Sequence, residues 1–184
     1  MATPANNLIQ LIDSICVAFD NSAYYPEFEN GVLVSTFCNF FVCEVAKGVG
    51  CEDLFDPITQ KPMMADDMVK FVSGSDHWQE LRVMGLPPDA MFIALKSVQS
   101  WANQGYLTIA CLTGAMLGSA HGHINVIRPG IMKESGKWGS VPVCANVGKE
   151  NFIGRAKSGP MKDQPCGINE AFVPMPRFFS WKGN

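Results

Sequence analysis

From Pro4 onward, Leu8, Leu11, Ile12, Ile15, Cys16 and Phe19 recur three and four positions apart, which is the spacing of one face of an α-helix. A proline near the first turn fits a helix start. Cys16 lies on that apolar face and is expected in the core. Over residues 20–34 the tyrosines, Pro26 and Gly31 break the period, so the stretch reads as a long irregular loop feeding a second helix. Ser35 and Thr36 are residue types that cap helix N-termini, the segment to Lys47 is helical in character, and Gly48 and Gly50 supply the stop. Cys38 would then fall in the first turn. Residues 51–62, with Pro57 and several acids, read as another loop. Residues 64–72 look helical, as do 88–102, where Met91, Ala94, Leu95, Val98 and Trp101 share one side and Gly105 ends the run.

After Gly105 the pattern changes. Residues 106–112, 123–127, 141–147 and 178–181 are short runs rich in β-branched, aromatic and small apolar residues, separated by Gly, Pro, Ser and Lys. Helices followed by strands predict an α+β fold with N-terminal helices packed on an antiparallel sheet, rather than alternating βαβ units. No internal repeat or low-complexity segment interrupts the chain.

Length and composition narrow the class. At 184 residues, 20.1 kDa, 47% hydrophobic and a mean hydropathy of +0.08, the chain fits one domain spanning residues 1–184 with a real core. A net charge of -3, a pI near 5.6 and scattered basic residues argue against nucleic acid or an anionic membrane as partner. The first seven residues carry no Lys or Arg, and Gln10, Asp13 and Ser14 interrupt the apolar residues that follow. The apolar stretch at residues 37–45 is too short for a bilayer and contains Asn39 and Glu44. Neither a signal peptide nor a membrane span is expected. The protein is expected to be made in the cytoplasm, with a dedicated secretion system or lysis as the routes out.

The seven cysteines (Cys16, Cys38, Cys43, Cys51, Cys111, Cys144, Cys166) form no C-x-x-C pair, so structural zinc is not expected. Most should be reduced and buried as small hydrophobes. His121 and His123 would share a face of a strand and form an H-x-H pair, but a metal needs three or four ligands. His77 lies far off in the polar segment Ser75-Asp76-His77-Trp78, read as helix or loop. No metal or cofactor is expected.

Thiol chemistry fits better. A thiol becomes a nucleophile when ionised, and the unpaired N–H groups of a helix's first turn favour the thiolate, as does a neighbouring imidazolium. Cys38 would be the nucleophile and His123, behind Gly122 on a strand, the base. An amide-cleaving enzyme also needs a polar residue to orient the imidazole and N–H donors for the oxyanion. Asn146, on the strand with Cys144, is the first choice for the orienting residue; Asn151 and Asp163 are alternatives. The backbone N–H of Cys38 would be one oxyanion donor and the preceding loop would supply a second, with Tyr24 and Tyr25 lining that side. Neither Cys38 nor His123 is diagnostic alone, because cysteine is among the most buried residue types and a strand histidine is often structural.

Cys38-Asn39-Phe40-Phe41-Val42 resembles the C-N-x-F-V nucleophile helix of the NlpC-type and CHAP-type papain-like cell-wall hydrolases. Residues 102–110 followed by Gly122-His123-Ile124-Asn125-Val126-Ile127-Arg128-Pro129-Gly130 resemble the strand pair of that superfamily, and Val141-Pro142-Val143 and Asn146-Val147-Gly148 continue the pattern. The resemblance covers residues 36–151, and its strength is the order of helix-borne Cys, strand-borne Gly-His and polar strand residue. It implies a papain-like fold and a cysteine amidohydrolase that cuts the peptide part of bacterial peptidoglycan, with the bond left open. A bare catalytic segment with no wall-binding repeat would suit a toxin resembling type VI amidase effectors, with an inhibitor or immunity protein as partner, or a phage lysis enzyme. Two other readings stay open: a general cysteine peptidase or acyltransferase of the same fold, and a non-catalytic module that binds wall peptides or a partner protein.

Overall fold

The computed structural model describes residues 3–148, 152–153, 166–167 and 175–183. It is a mixed α+β structure built on a 7-stranded antiparallel sheet. Helix α1 (Pro4–Phe19) opens the chain with Pro4 in its first turn, Thr3 capping the N–H of Asn6, and Leu8, Ile12, Cys16 and Phe19 buried. Its periodic face packs against α2 (Cys38–Gly48).

Residues 20–34 are not an irregular loop. A 3-10 turn (Ser22–Tyr24) leads into a hairpin of β1 (Glu27–Glu29) and β2 (Val32–Ser35). Asn30 and Gly31 both have positive φ, 50° and 78°, as a tight hairpin turn requires, and this Asn-Gly pair is the signal that the tyrosines and Pro26 obscured. Ser35 therefore ends a strand instead of capping a helix. The N-cap of α2 is Phe37, which makes no side-chain cap, and the Thr36 hydroxyl is used elsewhere.

Helix α3 (Ala65–Gly74) and helix α4 (Pro88–Asn103) lie where their apolar periods place them. Between them sits an element that the local pattern hides, β3 (Trp78–Leu81), so the division into a helical half and a sheet half is incomplete. After α4 come β4 (Thr108–Leu112), the short α5 (Gly114–Leu117) and β5 (His123–Ile127). Residues 141–147 are not one strand. Pro142, which lacks an N–H, separates β7 (Gly139–Val141), paired with β6 (Lys133–Ser135), from β8 (Val143–Asn146). Beyond these lie β9 (Phe152–Ile153), β10 (Cys166–Gly167) and β11 (Arg177–Trp181).

The strand order is β10-β8-β5-β4-β11-β3, with β9 also paired to β8. Helices cover both faces. On one face α1, α2 and α3 pack with Ile109, Cys111, Ile124, Val126, Ala145 and Phe179; on the other, α4 packs with Ala110, Ile127, Cys144 and Phe178. Alternate residues of each strand thus go to opposite layers, as a period of two demands. Burying each large side chain, such as Phe41, Leu95 or Ile124 at 0% exposure, contributes about 1.5–3 kcal/mol.

Two carboxamides of α4 fix the crossing from β5 to β8. Gln99 donates to the Arg128 carbonyl (3.0 Å) and accepts from the Val143 N–H (2.8 Å), while Asn103 brackets Gly130. Arg128 in turn reaches α1 through a forked ion pair with Asp13 at 2.8 and 2.7 Å. These bonds fix the register of the strands that carry His123 and Asn146.

Candidate functional site

Cys38 is the first residue of α2 and is 4% exposed. The residues after it explain why the helix starts there. Phe41 and Val42 are wholly buried and anchor the helix in the core, and the Asn39 side chain donates to the Met63 carbonyl at 3.0 Å, tying the first turn to the segment before α3. Phe40, on the outer side, is 43% exposed. The first rung of the helix is the Phe41 N–H to the Phe37 carbonyl, so the N–H of Cys38 precedes the ladder and points out of the helix start.

His123 is the first residue of β5, paired across the ladder with Leu112, and is part-buried. Asn146 is the last residue of β8 and is 4% exposed. The pairing of Val126 with Ala145 carries both strand ends to the same side of the sheet. There His123 Nε2 and Asn146 Oδ1 are 2.5 Å apart, and His123 shares a side-chain hydrogen bond with Cys38. Cys38, His123 and Asn146 therefore form one chain of contacts. Asn151 and Asp163 lie outside the described residues.

Burial is the largest single influence on the Cys38 thiol and raises its pKa. The hydrogen bond and charge of His123, the Thr36 hydroxyl and the Ile124 N–H together outweigh it and hold the thiol below its ordinary range. His123 is the mirror image: burial works against its charge, but the bond to Cys38, that residue's negative charge and the Asn146 bond raise its pKa. The pair favours thiolate beside imidazolium. Two nearby thiols, Cys43 and Cys111, feel the charge of Cys38. Burial pushes the Cys43 thiol up to about 12 and also raises Cys111, so both stay protonated.

Thr36 was expected as a helix cap; its Oγ1 instead donates to Cys38 Sγ at 3.6 Å. Gly148 closes the far side of the imidazole, where a Cβ would lie 2.7 Å from His123 Cε1. Its place two residues after Asn146 was the available hint. Tyr24 stacks on Phe19 at 4.2 Å and lies edge-on to Phe37, the residue before Cys38, at 5.4 Å. Tyr25 is not part of this group and bonds Asp20. His121 precedes β5 and is exposed, so it does not share a strand face with His123. His77 bonds Asp53 at 3.2 Å. No cluster of three or more metal-ligating side chains occurs among the described residues. A cavity at the sheet edge, lined by Glu80, Arg82 and Arg177, lies at β11 and β3, which stand two and three strands away from the strand of His123 in the sheet order.

A sulfur with a lowered pKa, a hydrogen-bonded imidazole and a carboxamide behind it can carry out nucleophilic attack followed by proton transfer. The chain matches no protein-family model and no curated protein.

Proposed function

We propose that the protein is a papain-like cysteine amidohydrolase that cuts an amide bond in the peptide part of bacterial peptidoglycan through a thioester. The observation that carries this reading is the Cys38–His123–Asn146 chain, with a thiol held below its ordinary pKa at the first residue of a helix. The thiolate of Cys38 attacks the amide carbonyl carbon. The oxyanion is met by the N–H of Cys38 at the open start of α2. His123, as imidazolium, gives its proton to the leaving amine as the C–N bond breaks and the thioester forms. It then takes a proton from water, whose oxygen attacks the thioester; the products are a carboxylic acid and the restored ion pair. Asn146 holds the ring in line for both transfers.

The substrate class rests on the resemblance of the Cys38–Val42 stretch and of the strand pair that follows to the NlpC-type and CHAP-type hydrolases. The test is digestion of purified peptidoglycan with identification of the new termini by mass spectrometry. Wild type should release new amine and carboxylate ends, and Cys38→Ala should release none, a loss of ~10³-fold or more. Full activity in Cys38→Ala would exclude the mechanism; transfer of the acyl group to an added amine, with no net hydrolysis, would point to an acyltransferase.

A further inference from the structure

Asp66 stands in the first turn of α3, distant in sequence from every residue of the site, and its carboxylate spans two chain segments. Oδ1 accepts the N–H of Gly114 at 2.8 Å and Oδ2 accepts the N–H of Gly122 at 3.0 Å. Those N–H groups mark the two ends of the excursion over residues 113–122 that joins β4 to β5. The last pair of the β4–β5 ladder is Leu112 with His123, so the clamp closes the ladder immediately beyond the histidine. The space is tight: a Cβ on Gly122 would sit 2.6 Å from the Leu112 carbonyl oxygen and 3.1 Å from Asp66 Oδ1.

The end of a ladder is where strands fray, and His123 is the end residue. The imidazole acts on Cys38 only if its main chain stays in place, because a small displacement of a reacting group costs a large factor in rate. From this geometry we infer that Asp66 is a positioning residue for His123: by accepting from both ends of the 113–122 excursion it pins the start of β5 and so holds the ring against the sulfur. The catalytic consequence rests on the hydrolase reading above; the clamp itself does not.

Asp66→Asn leaves one acceptor oxygen and turns an amide N–H2 toward the other backbone donor. The variant should lose about 10-fold in kcat, the effect of one charge-assisted hydrogen bond, with KM changed far less. The pH profile of Cys38 alkylation by iodoacetamide should move toward that of an ordinary thiol, a change that a merely structural role would not produce in a folded protein. Asp66→Glu, which keeps the charge and both oxygens, should recover part of the loss. A folded Asp66→Asn protein with the wild-type alkylation profile and kcat would overturn the proposal. Should that variant fail to fold, amide exchange of the wild type decides: the Gly114 and Gly122 N–H groups should be protected like those of β4 and β5, and exchange of Gly122 at open-loop rates would overturn it. A wild-type Cys38 with an ordinary thiol profile would count against the hydrolase reading instead, leaving the Gly122 protection as it was.

Discussion

Cys38 at the start of α2 and Cys111 within β4 belong to the same apolar layer, 4% and 0% exposed, yet their thiols are driven in opposite directions. For Cys111, burial dominates and raises the pKa, and the opposing pull of Arg177 does not compensate. Burial is also the leading influence on Cys38, but there an imidazole, a hydroxyl and a backbone N–H converge on the sulfur and reverse the sign. The helix-start cysteine faces the start of β5, from which the Ile124 N–H and the His123 ring reach its sulfur, and the Thr36 hydroxyl joins them. Burial therefore does not distinguish a reactive thiol from an inert one in this protein; the donors gathered around the sulfur do.

The most severe way to break that contrast is His123→Ala, which should turn Cys38 into a second Cys111. Turnover should fall by ~10³-fold or more, and Cys38 should be alkylated no faster than the other buried thiols. The sign of the pH dependence follows from the two shifts. A lowered thiol pKa keeps Cys38 ionised below the ordinary thiol range, and a raised imidazole pKa keeps His123 protonated above the ordinary histidine range. Each shift includes the charge of the other group, so the two charges support each other, and the rate–pH curve should be bell-shaped, with Cys38 on the acid limb and His123 on the alkaline limb. In His123→Ala the acid limb should move up toward ordinary thiol behaviour. A variant that still labels selectively near neutral pH would show that the helix start and Thr36 suffice without the imidazole.

A milder break is Asn146→Ala. Removing a hydrogen bond to a charged group costs about 1.5–3 kcal/mol, which corresponds to a fall of roughly 10–100-fold in kcat. Asn146→Asp should restore orientation of the ring while raising the imidazole pKa further by its charge, shifting the alkaline limb of the profile upward. Equal activity in wild type and Asn146→Ala would assign the orienting role to another group.

The same contrast explains what was legible in the sequence. Helix α1 and strand β5 could be read because their patterns are local: Leu8, Ile12 and Cys16 repeat at helical spacing, and residues 123–127 are nearly continuous β formers bounded by Gly122 and Pro129. The order of Cys38, His123 and Asn146 was legible because each lies on a helix or strand that the local pattern marks, although the start of α2 and the break at Pro142 were not. Strand β3 was not, because among the described residues it is an edge strand paired with β11, far later in the chain, and of its own residues only Trp78 is buried. The Asp66 clamp was equally hidden: its partners are the N–H groups of Gly114 and Gly122, and backbone donors leave no mark in a sequence. Placement of helices on both faces follows from alternate strand residues being apolar in both registers, a pattern too short to separate from a one-sided sheet.

Thr36 marks the point where a local rule failed for a chemical reason. Its hydroxyl was expected to cap α2, but the N-cap lies one residue further on, at Phe37, and the hydroxyl donates to sulfur instead. A cap bond would have steadied the helix by about 1 kcal/mol; the bond to sulfur stabilises an anion that burial disfavours. Thr36→Val preserves the shape and removes the donor, so it should leave thermal stability nearly unchanged and lower kcat by only a few-fold, the smallest effect in the series. Because Thr36 ranks below His123 among the influences on Cys38, the alkylation profile should shift in the same direction as in His123→Ala but by less. If Thr36→Val lowered stability and left the alkylation profile in place, the hydroxyl would be a cap after all, and the difference between Cys38 and Cys111 would rest on the imidazole and the Ile124 N–H.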